Sequence, residues 1–159
     1  MMKSNSRDGL TEGEGICYYP RDSGVVSYRG EYHRGRRHGN GTLVWRDGRT
    51  YTGKFANDRR GGIGTMTYRD GSTYTGAFVK GRRQGKGQRT YANGSTYQGS
   101  YENDVKQGLF VVHNGNGDRT IEVYDKGELK KRSSSRLRSN SVSNDYGVFS
   151  KRTNSTSSV

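Results

Sequence analysis

The side chains from which chemistry could be built are few in this chain. Its histidines are His33, His38 and His113, and its one cysteine is Cys17. Nucleophilic catalysis needs a base held against a Ser or Cys. His33 and His38 flank a turn with no Ser, Cys or carboxylate placed repeatedly beside them. No paired carboxylates, Gly-x-Ser-x-Gly or His-Glu-x-x-His occurs. Cys17 has no metal-ligand spacing around it and no thiol to pair with. The Gly-x-Gly pairs recur every 23 residues and precede strands rather than helices, so they are repeat glycines and not a phosphate loop. The sequence predicts no catalytic site, no metal site and no cofactor.

What recurs instead is a basic pair. Arg36-Arg37, Arg59-Arg60 and Arg82-Arg83 sit at one phase, and the fourth copy keeps only Lys106. The chain carries a net charge of +13, concentrated in residues 28–159. A ladder of such pairs along one edge is a candidate site for anionic lipid headgroups. At about 1 kcal/mol per cation, its seven side chains supply at most ~7 kcal/mol, a Kd near ~10 μM. The competing reading is that charged hairpin tips keep a sheet soluble and stop its edges pairing.

The elements that position these residues follow from a 23-residue period. Tyr28, Tyr51, Tyr74 and Tyr97 begin the copies. Gly30, Gly53, Gly76 and Gly99 follow two residues later, and Tyr32, Phe55, Phe78 and Tyr101 four later. Gly39, Gly62, Gly85 and Gly108 stand at eleven, and Trp45, Tyr68 and Tyr91 at seventeen, with Asn114 in the fourth copy. Aromatic and polar residues alternate, which is strand period. Asp47-Gly48, Asp70-Gly71 and Asn93-Gly94 are hairpin-turn signals. A second turn is expected at Gly35-Arg36-Arg37-His38. Each unit therefore reads as a β-hairpin. Alternation puts Tyr28, Gly30, Tyr32, Gly39, Gly41, Leu43 and Trp45 on one face. With only 27% hydrophobic residues but 25 Gly and 12 Tyr, the core is expected to be rings lying on glycine backbone.

The unit Tyr-x-Gly-x-aromatic, Gly-x-Gly, aromatic-x-Asp/Asn-Gly resembles the MORN (membrane occupation and recognition nexus) repeat. Units from Tyr28, Tyr51 and Tyr74 match it almost fully, and the unit from Tyr97 is degenerate in its second half. The resemblance implies an all-β fold: an elongated single-layer antiparallel sheet of stacked 23-residue hairpins, acting as a scaffold. Relatives occur in membrane-junction, flagellar and ciliary proteins, parasite division scaffolds, myosin-binding adaptors and plant phosphoinositide kinases. No kinase domain accompanies the repeats here, so that activity does not carry over.

The expected organisation is a flexible N-terminus (1–10), an array of about four full and two partial repeats (11–129), and a disordered basic Ser-rich tail (130–159). The aromatic stripe Tyr28, Tyr32, Trp45, Tyr51, Phe55, Tyr68, Tyr74, Phe78, Tyr91, Tyr97 and Tyr101 is a candidate face for an amphipathic helix of a partner or for a second copy of the chain. In the tail, Ser135 and Ser141 follow basic residues as basophilic kinase sites do, and phosphates there would offset its charge. Ser157 and Val159 fit a PDZ ligand, a hydroxyl two residues before an apolar C-terminus. No recognised nucleic-acid motif is present. The lone cysteine, polar N-terminus and lack of a long apolar run fit a cytoplasmic protein, peripheral at a membrane or the cytoskeleton. The expectation is a non-enzymatic adaptor, with a phosphoinositide- or phospholipid-binding module as the alternative.

Overall fold

The computed structural model describes residues 11–135. Eleven strands follow in chain order: β1 (Glu12–Tyr18), β2 (Val25–His33), β3 (Arg36–Trp45), β4 (Thr50–Ala56), β5 (Arg59–Thr67), β6 (Thr73–Val79), β7 (Arg82–Thr90), β8 (Thr96–Glu102), β9 (Val105–His113), β10 (Arg119–Asp125) and β11 (Glu128–Ser135). Each pairs antiparallel with its chain neighbours, so spatial order equals chain order in one sheet. The chain is an elongated single layer of stacked 23-residue units. The array runs further than the sequence reading placed it: residues 130–135, assigned above to the tail, continue β11 against β10.

Two kinds of turn alternate between the edges. At one edge, Asp47-Gly48 and its counterparts behave as expected. Gly48 takes a φ of 89° and donates its N–H to the Trp45 carbonyl at 3.1 Å, while the Asp47 carboxylate accepts from the Arg49 N–H at 3.1 Å. This is a three-residue loop closed by a left-handed residue. At the other edge the structure corrects the sequence. The turn is Arg34-Gly35, with φ of 51° and 71°, and not Gly35 to His38. Asn57-Asp58, Lys80-Gly81, Asn103-Asp104 and Lys126-Gly127 repeat it, each with two positive φ values. Two-residue turns of this hand match the twist of the strands they join. The basic pair therefore opens a strand instead of filling a loop.

A bulge then changes which glycines face the rings. Gly30 pairs with Gly41, but Tyr32 pairs with Arg37, so β3 holds extra residues between them. β5, β7 and β9 repeat the irregularity. The glycine at the bulge, Gly39 at φ 55° or Gly62 at φ 68°, is turned to the opposite face. A Cβ on Gly39 would collide with the Glu31 carboxylate, and one on Gly62 would press on the Lys54 side chain. Gly39 therefore leaves the face that alternation assigned to it. Because the bulge absorbs two residues, Arg37 returns to the ring side.

The core is a chain of rings on one face. Tyr28 lies over Gly41 of the neighbouring strand, where any Cβ would overlap its phenol; Tyr51 covers Gly64 and Tyr74 covers Gly87 in the same way. Each phenol donates to a carbonyl three residues on: Tyr28 to Glu31 at 3.0 Å, Tyr51 to Lys54 at 3.0 Å, Tyr74 to Ala77 at 3.3 Å. The rings meet edge to face, in the order Tyr32, Tyr28, Phe55, Tyr51, Phe78, Tyr74, Tyr101, Phe110, Tyr124, with centroids 5.0–5.4 Å apart. Such contacts contribute about 0.5–1.5 kcal/mol each beyond area burial. Tyr28, Tyr51, Tyr74 and Phe110 are fully buried although the described residues form no second layer over them.

Candidate functional site

The ring face sorts the eleven aromatics picked from sequence into two sets. Tyr28, Tyr51, Phe55, Tyr74, Phe78 and Tyr101 are buried and form the spine. Tyr32 is half-buried at the end of the spine, and Trp45, Tyr68, Tyr91 and Tyr97 are half-buried and stand beside it. The fourth unit explains itself here. Phe110 takes the place of the usual second glycine and covers Gly99 from the opposite strand. Tyr97, displaced from the spine, packs on Tyr91 at 5.5 Å. From sequence the unit from Tyr97 reads only as degenerate in its second half; the pairing of Gly99 with Phe110 shows that a ring from β9 can replace a ring from β8.

The basic ladder also divides. Adjacent strand residues point to opposite faces, so only the second of each pair joins the rings. The Arg37 guanidinium lies 5.7 Å from both the Tyr28 and Phe55 centroids, Arg60 5.2 Å from Phe78, and Arg83 4.8 Å from Tyr101. The Lys106 ammonium lies 4.0 Å from Tyr97 and 4.3 Å from Tyr124. Each arginine also holds the next hairpin's turn. Arg37 donates to the Asp58 carbonyl at 2.9 Å and pairs with its carboxylate at 3.1 Å; Arg60 donates to the Gly81 carbonyl at 2.6 Å; Arg83 repeats the Arg37 pattern on Asp104. Burial lowers the Arg60 and Lys106 pKa values, the expected direction for partly desolvated cations. Arg36, Arg59 and Arg82 remain exposed on the outer face.

Two further arginines join the half-buried aromatics. Arg49 stacks 5.4 Å from Trp45, with Arg60 at 5.9 Å. Arg89 lies between Tyr68 at 4.0 Å and Tyr91 at 5.1 Å, and donates to Ser72 Oγ at 2.8 Å. It occupies the phase that Leu43, Met66 and Val112 fill in the other units, each of them buried. Comparing the four units at that phase would have flagged it. The arrangement offers stacking surface and cationic donors for an apolar ligand with acidic groups, and no nucleophile–base pair. Among the described residues, no group of three His, Cys, Asp or Glu side chains is arranged to hold a metal ion. His33 pairs with Glu12 at 3.0 Å, in the open.

The family model of the MORN repeat matches residues 5–23, 28–48, 51–73, 74–96 and 97–109, more than half of the chain. The chain belongs to the MORN-repeat family. The last match ends one residue before Phe110, where the MORN pattern exchanges its glycine for a ring. No curated protein matches the chain. MORN repeats form a family that generally acts as a non-catalytic, protein- or lipid-binding scaffold. Of the remaining candidates, Ser135 is the last residue of β11. Ser141, Ser157 and Val159 lie outside the described residues.

Proposed function

We propose that this MORN array is a cytoplasmic scaffold that holds an amphipathic segment of a partner protein, acidic on its polar side, against the half-buried aromatics, while its cationic surface keeps the assembly at an anionic membrane or the cytoskeleton. The observation that carries this is Arg89. The other units put an aliphatic side chain there. A guanidinium sandwiched by Tyr68 and Tyr91 gives up apolar packing, and its Nε is buried without an acceptor in the fold. Within the fold it reaches Ser72 Oγ at 2.8 Å and the Asp70 carboxylate only at 4.0 Å, so a ligand carboxylate would complete its pairing. Trp, Tyr and Arg are also the side chains that dominate the centres of protein interfaces.

Trp45, the one tryptophan, sits in the same row and reports on it directly. A synthetic amphipathic peptide with a glutamate-rich polar face is expected to change its fluorescence on binding. Arg89→Met should weaken that binding about tenfold without lowering the thermal midpoint, because methionine suits this position in the second unit. Equal binding by wild type and Arg89→Met overturns the reading. The alternative, lipid binding as the primary role, draws support from the net charge of +13. The phosphorylation of Ser135 and Ser141, and a PDZ domain on Ser157 and Val159, stand as proposals attached to the same adaptor.

A further inference from the structure

The outer face of the sheet, opposite the rings, is not needed by the packing described above, and its residues differ from unit to unit. At the phase of Glu31 stand Lys54, Ala77 and Ser100; at that of His33, Ala56, Val79 and Glu102; at that of Asn40, Ile63, Lys86 and Leu109. The two middle units share a property the others lack. None of the strands β4, β5, β6 and β7 contains an acidic residue.

Register gathers their outward side chains. Ile63 pairs directly with Ala77, and Val79 stands two residues further along the same strand. Ile63 is 62% exposed and Val79 52% exposed, so both are wet across most of their surface. Cations surround them: Arg82 opposite Val79, Arg59 opposite Ala56, Lys86 and Lys54 on the flanking strands. All four are exposed. Their ring-side neighbours Arg60 and Arg83 are committed to the ring stack and the turns. The first unit breaks the patch with Glu14 and Glu31, paired on its outer face, and the fourth with Glu102.

We infer that the outer face of β4 to β7 is a membrane-docking surface, with Ile63 and Val79 entering the interface of an anionic bilayer and Lys54, Arg59, Arg82 and Lys86 holding its headgroups. The inference rests on the membrane association proposed above, and it assigns that contact to the face opposite the partner. An apolar centre among basic strands, with the nearest turn carboxylate, Asp58, held by Arg37, matches an acidic leaflet in both respects: charge attracts the headgroups, and the aliphatic side chains leave water for the acyl boundary. A folded nucleic acid would use the charge and leave Ile63 and Val79 unexplained.

The test uses the full chain and two kinds of vesicle, phosphatidylcholine alone and phosphatidylcholine with phosphatidylserine. Wild type is expected to sediment with the acidic vesicles only. Lys54→Glu with Lys86→Glu should lower the partition coefficient at least about tenfold. Arg29→Glu with Arg36→Glu, an equal charge change on the outer face of the first unit, should lower it much less. Ile63→Ser with Val79→Ser should leave binding that salt removes readily. The Ile63→Trp variant should gain quenching by brominated acyl chains that wild type, with Trp45 on the ring side, lacks. Wild type that ignores acidic vesicles, or binds RNA in their place, overturns both the inference and the membrane association beneath it. Equal losses for the two charge reversals, or quenching of Trp45 in wild type, overturn the inference alone, since binding then comes from overall charge or from the ring face.

Discussion

Glycine and tyrosine act as one unit in this sheet. Tyr51 is held by its hydrogen bond to the Lys54 carbonyl and by Phe55 and Phe78 at 5.2 and 5.1 Å, so it cannot give way to a methyl group on Gly64 beneath it. Gly64→Ala is expected to cost about 2–3 kcal/mol through overpacking. Gly48→Ala, at a φ of 89° with open space around it, should cost about 1–2 kcal/mol of backbone strain alone. Urea denaturation of the two variants measures the difference, and a larger loss for Gly48→Ala would contradict ring coverage as the main support of the fold. The same burial makes the core sensitive to alkali. Desolvation pushes the Tyr51 and Tyr101 phenols from 10.0 up to about 12. The neutral phenol is the form the fold favours, so their contribution is complete below about pH 10. It should be lost as pH rises through 12, with phenolate absorbance and loss of the sheet's circular dichroism appearing together.

At the scale of the element, the last strand depends on one ion pair. Glu122 on β10 is 1% exposed, accepts from the Tyr124 hydroxyl, and pairs with Arg132 of β11 at 2.8 Å. Removing Arg132 leaves a buried carboxylate without its cation. Arg132→Ala should cost about 1–3 kcal/mol, toward the low end because Arg132 is itself more than half exposed. Amide exchange should rise in β11 ahead of β8 and β9. Adding Glu122→Gln should recover part of the loss, and a strictly additive double mutant would show that the pair is not coupled. The elements also show what the sequence made visible. The spacing Tyr28-Gly30-Tyr32 is legible because ring and glycine must alternate for one to cover the other. Asp47-Gly48 is legible because a left-handed residue closes that loop. Arg34-Gly35 was obscured by its counterpart Asn57-Asp58, which does the same work without glycine. Once the turn is misplaced by a residue or two, Arg36 and Arg37 both seem to lie in a loop and equally free. In the fold they open a strand and part company, one to solvent and one to the rings. The candidate site was legible in residue type and not in exposure, because Tyr74 is buried by lying over Gly87 of the next strand, and period alone does not assign that place to Tyr74 in preference to Tyr68.

The described residues form a one-dimensional stack, since among them spine rings, turns and guanidinium groups engage the adjoining hairpin. Excising residues 51–73 joins Thr50 to Tyr74, which reproduces the Thr73-Tyr74 step. The shortened chain is expected to keep the circular dichroism of the parent and melt at a lower temperature, by the loss of one unit and one interface. An unfolded product would show that stability is not shared out unit by unit. Stacking of this kind invites end-to-end growth, and the parity of the strands opposes it. With eleven in alternation, β1 and β11 run in the same sense. A copy joined tail to head must pair in parallel, or roll over and show its rings to the other side. A twofold pair made tail to tail keeps the rings together, but sets Lys130, Lys131 and Arg132 against themselves; made head to head, it does so with Glu12 and Glu14. In the array formed by the described residues, strand parity thus works against tail-to-head growth, and like charge on each rim against twofold pairing.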